Sequence, residues 1–206
     1  MNKRLAEFVS YVFHPLLLST MLLVVLFVFS PNALRPITSA NFLPFLGVVF
    51  ALTFFIPALS VGMLKMTSTI TSFKLEDRKE RILPFIFISL YYALAVYMFG
   101  YQLGLGQTMV ILFGTITAVV VLVTIVTLFY KVSVHSAGMW GVLGSMIAIQ
   151  HKYPDSLLFW PIIITLLLAG IVNSARLYLS AHSSTQVNLG AFLGFLVCFI
   201  SVYLFS

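Results

Sequence analysis

The feature that most constrains this chain is its succession of apolar stretches, each about as long as a membrane is thick. A helix needs about 20 mostly apolar residues to cross the hydrocarbon layer. Cutting the sequence at its polar or Gly/Pro breaks leaves seven such stretches, approximately 11–29, 42–64, 82–103, 108–130, 135–150, 157–179 and 187–206. In lipid the backbone must satisfy its own hydrogen bonds, so these read as helices. The expected fold is all-α: a polytopic transmembrane helical bundle of six or seven spans. With no linker, repeat or low-complexity stretch, residues 1–206 form a single domain. The fifth stretch is short and carries Ser136, Ala137, Gly138, Gly141, Gly144 and Ser145, which suits a helix packed among others. Met1 to Arg4 is basic like the start of a signal peptide, but a full-length apolar run without a small-residue cleavage pattern follows. We read it as a retained first helix.

Charge supports the same class. Only 8% of residues are charged and the mean hydropathy is +1.12, where soluble domains carry about 25% charge. Such a chain cannot wet its own surface, which excludes a soluble enzyme or a nucleic-acid binder. The net charge of +6 arises from Lys and Arg in short loops, where they orient membrane proteins. Cys198 is the only cysteine and lies in an apolar run, so it forms neither an intramolecular disulfide nor a cysteine zinc site. The 20 Phe and 9 Tyr are read as lipid-facing and interfacial bulk.

Helices that alternate in direction bring every second loop to the same face. The 65–81, 131–135 and 180–186 loops therefore share one face with the N-terminus, and they hold most of the reactive residue types. Lys74, Arg81 and Arg176 would converge there as fixed cations, and guanidinium forks match tetrahedral oxyanions. The Ser133 hydroxyl and the start of the fifth helix add donors. Two imidazoles, His135 and His182, add a nucleophile and a proton donor. The set is a phosphate cradle equipped for phosphoryl transfer. No cofactor or metal is required, because cations already neutralise the charge. Glu76, Asp77 and Glu80 read as salt-bridge partners of the neighbouring bases. His14, followed by Pro15, reads as an interfacial or packing residue, with lining of the substrate groove as the alternative.

These residues resemble the type 2 phosphatidic acid phosphatase (PAP2) superfamily, whose pattern is K-x6-RP, then PSGH, then SR-x5-H-x3-D. Lys74, six residues and Arg81 are similar to the first motif, with the proline displaced to Pro84. Val132-Ser133-Val134-His135 is similar to the second. Ala175-Arg176, five residues, His182, three residues and Gln186 resemble the third. The resemblance implies a PAP2-like core and a hydrolase of phosphoric monoesters or diphosphates acting on a lipid or polyprenyl phosphate. It implies that His182 attacks phosphorus to form a phosphohistidine and that His135 protonates the leaving oxygen. Lys74, Arg81, Ser133 and Arg176 would hold the phosphoryl oxygens.

Gln186 stands where the family has an aspartate. Four residues from His182 on a helix, its amide oxygen can fix the ring tautomer but supplies no negative charge, so slower turnover is expected. The alternative is a non-catalytic PAP2-like binder or transporter of anionic lipids. The motif face carries Lys3, Arg4, Lys65, Lys74, Arg78, Lys79, Arg81, Lys131 and Arg176, and the other only Arg35 and Lys152. This imbalance places the site on the cytoplasmic side of a bacterial inner membrane, although many membrane relatives act on the opposite side.

Overall fold

In the computed structural model of the protein, which describes every residue except 74 and 76, the chain is helical with no strand among the described residues. The helices are α1 (Lys3–Val12), α2 (Pro15–Phe29), α3 (Ser39–Met66), α4 (Arg78–Gln102), α5 (Gln107–Phe129), α6 (Val134–Lys152), α7 (Phe159–Tyr178) and α8 (Ser184–Phe205). Five of them, α3, α4, α5, α7 and α8, are long and apolar enough to cross a membrane. The bent pair α1 and α2 makes a sixth if counted as one span. In each of the five, only 22% to 39% of the most apolar stretch is buried within the protein. Exposed Leu43, Ile164, Leu167 and Phe192 illustrate the surface that results. Water would not tolerate so apolar an exterior, and lipid does. The protein is an integral membrane protein.

Two segments depart from a row of equal spans. The first is residues 11–29, expected as one helix, which is broken at Phe13 and His14 so that α1 and α2 meet at 62°. Pro15 is the cause: its ring disfavours helical geometry at the preceding residue, and His14 is extended at φ −64° and ψ 132°. Proline then opens α2, where its missing N–H costs nothing. The His14 Nδ1 caps α2 by accepting from the Leu16 N–H at 3.4 Å. α1 is separately capped by Asn2 and packs Ala6 and Val9 against α7, while Leu5 and Phe8 face outward.

The second is α6, which is less apolar than the five spanning helices yet is the most enclosed. Ser136, Ala137, Gly141, Gly144 and Ser145 are all buried, as their small size led us to expect. Its main partner is α8, and the two meet backbone to backbone. A Cβ at Gly144 would sit 2.6 Å from the Phe195 carbonyl oxygen, one at Gly190 would sit 2.5 Å from that of Ser133, and one at Gly194 would overlap Ala137. Glycine permits this approach because nothing stands between the helices. The consequence is positional, since the contact locks the starts of α6 and α8 together.

Successive helices alternate in direction as expected. The far end is joined by the Leu157 N–H to the Phe29 carbonyl at 2.7 Å, Gln107 to the Phe205 carbonyl at 3.0 Å, and Thr108 to Tyr153 at 2.7 Å. Arg35 and Lys152 line one shallow pocket there, about 300 Å³ in volume. The three motif loops lie at the opposite end.

Candidate functional site

A cavity of about 920 Å³ enters the bundle at the motif end, and Arg81, Lys131, His135, Arg176 and His182 all line it. Three helices and two turns therefore bring residues separated by about a hundred positions in sequence to one space. The deep part is apolar, walled by Leu18, Leu22, Ile116, Val119 and Cys198. Glu7, near the entrance, is the acidic side chain among the described lining residues.

Arg81 lies in the first turn of α4 and is 5% exposed. Its Nε donates to the Leu75 carbonyl at 2.6 Å and its Nη1 to that of Val132 at 3.5 Å. Leu75 reaches it from the left-handed region, φ +47°, a conformation that costs a side-chain-bearing residue about 1 kcal/mol or more. Arg176 stands in the last turn of α7, where its Nη1 donates to the Ser10 hydroxyl at 3.3 Å. Its Nε is buried without a hydrogen-bond partner. Both guanidiniums are thus held by neutral oxygens. Among the described residues no carboxylate pairs with either; a buried cation without a counter-charge is costly, and an anion entering the cavity would offset that cost.

His182 sits in the turn between α7 and α8, which Ser180 tightens at φ +50°. The ring is 8% exposed. Its Nδ1 lies 3.0 Å from the Gln186 Oε1, and that oxygen also accepts from the Ser183 N–H at 3.3 Å. With two donors converging on it, the amide oxygen accepts a hydrogen bond from the ring, which puts the imidazole proton on Nδ1 and leaves Nε2 with a lone pair. Burial pushes the ring pKa down to about 3; the Gln186 hydrogen bond opposes this, while the charges of Arg81, Arg176 and Lys131 reinforce it. The ring is therefore neutral and nucleophilic at physiological pH.

His135, in the first turn of α6, has its Nε2 3.1 Å from the Ser10 carbonyl oxygen. A carbonyl only accepts, so the proton is on Nε2 and Nδ1 is the free base.

Three expectations need revision or fall outside the structure. Ser133, expected to bind phosphate, is fully buried and does not line the cavity. Its hydroxyl caps α6 by accepting from the Ser136 N–H at 3.4 Å, and its own N–H donates to the Gln186 carbonyl at 3.2 Å. A serine just before a helix is the preferred N-cap, and that local demand takes the side chain. Asp77 and Glu80, expected in salt bridges, accept from backbone N–H groups of Lys79 at 3.0 Å and Thr71 at 3.1 Å. Lys74 and Glu76 lie outside the described residues. Gln186 does not line the cavity and reaches it through His182, as its spacing led us to expect.

Two lining residues went unassigned or were underestimated. His14 faces His135 edge-on, with ring centroids 5.8 Å apart at 78°. Its signal was the His-Pro step, which marks a break in the first span. Ser10 had no signal, because only tertiary packing brings it to His135 and Arg176. Among the described residues no group of three or more His, Cys, Asp or Glu side chains converges as metal ligands would. No protein-family model, characterised protein or solved structure matches the chain.

Proposed function

We propose that the protein is a membrane phosphatase of the PAP2 type that hydrolyses lipid or polyprenyl phosphates without a metal, through a phosphohistidine on His182. The observation that carries this reading is the shared cavity: two guanidiniums and two imidazoles from distant stretches of chain surround one space that continues into an apolar tunnel. An amphiphile fits this polarity, with its phosphate among the cations and its tail along Leu18, Leu22 and Val119.

In the reaction, the Nε2 lone pair of His182 attacks phosphorus and the P–O bond to the lipid breaks. Arg81 and Arg176 neutralise charge on the phosphoryl oxygens. His135, neutral at rest, takes the proton of the phosphate monoanion at its bare Nδ1 and passes it to the departing alkoxide, becoming neutral again. The same Nδ1 then takes a proton from water as the water oxygen attacks phosphorus and the P–N bond to His182 breaks, and it hands that proton to the departing phosphate, so that both rings end neutral as they began. Gln186 orients the His182 ring but brings no charge to offset the phosphoimidazolium, so turnover is slow for this chemistry. The PAP2-like core, a bacterial inner membrane and a cytoplasmic site are parts of the same proposal; the excess of basic residues at the motif end supports the last.

Purified protein given phosphatidate, phosphatidylglycerophosphate and a polyprenyl diphosphate should release phosphate from at least one, equally with and without chelator. A base-stable, acid-labile phosphoryl adduct should form and should be lost with His182→Ala. Release without an adduct, or an adduct that survives the substitution, overturns the assignment. The neutral Gln186 is the one feature that favours a non-catalytic binder of anionic lipid, which would bind these lipids and release nothing.

A further inference from the structure

α1 contributes more to the cavity than an anchoring segment would. Lys3, Glu7, Ser10 and Tyr11 all line it, at spacings that place them on one side of the helix. Ser10, 8% exposed, is the point of contact with the reactive groups. Its carbonyl oxygen lies 3.1 Å from the His135 Nε2, and its hydroxyl oxygen lies 3.3 Å from the Arg176 Nη1. The hydroxyl proton is already engaged, donated to the Ala6 carbonyl at 2.9 Å. The oxygen therefore presents a lone pair to the guanidinium, and the contact has a fixed polarity.

We propose that Ser10 is a positioning residue of the site: its carbonyl holds His135 in the tautomer with a free Nδ1, and its hydroxyl aims the Arg176 guanidinium into the cavity. Its role in turnover rests on the phosphatase reading; the two contacts themselves do not. The break at His14 and Pro15 has a purpose in this arrangement. A straight first span would carry residue 10 along the α2 axis, whereas the 62° bend packs α1 on α7 and brings Ser10 to His135 at the start of α6. One residue thereby joins the imidazole that handles the leaving group to a cation that holds the phosphate.

The test uses the full chain in detergent with three readouts. Nitrogen NMR of histidine-labelled protein should show His135 protonated at Nε2 with Nδ1 bare; the opposite tautomer overturns the carbonyl half. Orthovanadate binding, which needs no turnover, should weaken about fivefold in Ser10→Ala and return to within twofold of the parent in Ser10→Thr, which keeps the hydroxyl. The same pair should raise and restore KM on a lipid phosphate with little change in kcat. Unchanged vanadate affinity in Ser10→Ala, or a loss that threonine does not repair, overturns the hydroxyl half. If the parent protein turns over no lipid phosphate, the enzymatic reading fails, and the tautomer and vanadate readouts still decide the role of Ser10.

Discussion

The two ends of the bundle use polar residues in opposite ways. At the far end side chains close turns. Gln150 alone accepts from the Leu158 N–H at 2.9 Å and the Ser156 hydroxyl at 3.0 Å, and donates to the Ser156 carbonyl at 3.2 Å. Asn32 likewise donates to Asp155 across the α2 and α7 turns. At the motif end the strongest donors are left on neutral acceptors around a cavity, and two non-glycine residues, Leu75 and Ser180, hold left-handed backbone beside it. Polar groups that are fully satisfied make structure, and polar groups held short of satisfaction make a site. Strain gathered at the same end points the same way.

The sharpest way to break this contrast is His182→Ala. Phosphate release should fall by about a thousandfold or more, as expected on losing a nucleophile, with the unfolding temperature little changed. Equal activity in the variant would place the chemistry elsewhere. Arg176→Ala comes next. Losing one preorganised donor to a developing oxyanion should lower kcat/KM about a hundredfold. The matched change at the other end, Lys152→Ala, should leave it within about twofold. Similar losses at both ends would mean that the cations set only the orientation of the protein.

Much of this contrast is readable in the sequence. Span length and loop parity are enough to gather Arg81, His135, Arg176 and His182, because a helix that crosses must return. The small residues of α6 likewise announce a helix enclosed by others. What the sequence hides is local competition for a side chain. Ser133 occupies a motif position and an N-cap position at once, and the cap takes its hydroxyl. Asp77 and Glu80 sit among bases, yet each accepts from a backbone N–H, that of Lys79 and that of Thr71. Hydropathy is equally blind to the break before Pro15, since Phe13 and Leu16 are apolar on either side of it. Ser10 acquires its neighbours only once that bend exists.

A third comparison separates stability from chemistry. Gln150→Ala should destabilise the protein by about 2 kcal/mol, through the buried groups it leaves unpaired, while kcat/KM stays within about twofold. Thermal unfolding and phosphate release on one preparation would decide it. A large loss of activity would show that the two ends are coupled through α6.

The pH dependence of stability follows from His182. Its pKa falls from an ordinary 6.5 to about 3 on folding, so the folded state disfavours the protonated ring. The unfolded chain binds the extra proton between those values, and stability conferred by the neutral ring is present above about pH 6.5 and is lost as pH falls toward 3. Replacing the ring by glutamine, His182→Gln, should flatten that acid slope in a denaturation series from pH 7 to pH 4. An unchanged slope would mean that the ring is not held neutral by burial.

The smallest expected effect is the most specific. Gln186→Asp keeps an oxygen near the His182 Nδ1 and adds the negative charge that the amide lacks. The carboxylate would stabilise the phosphoimidazolium, and at the start of α8 it also faces the positive end of the helix dipole. It would raise the pKa of the ring as well, so the acid limb of the rate profile should move toward neutrality. A kcat gain of about two- to tenfold corresponds to well under 2 kcal/mol of transition-state stabilisation. The shorter side chain must still span the 3.0 Å contact that Gln186 makes with the ring. A fall in kcat with an unmoved pH profile would show that the oxygen no longer reaches the ring, and that this site is built around the length of the amide rather than deprived of a charge.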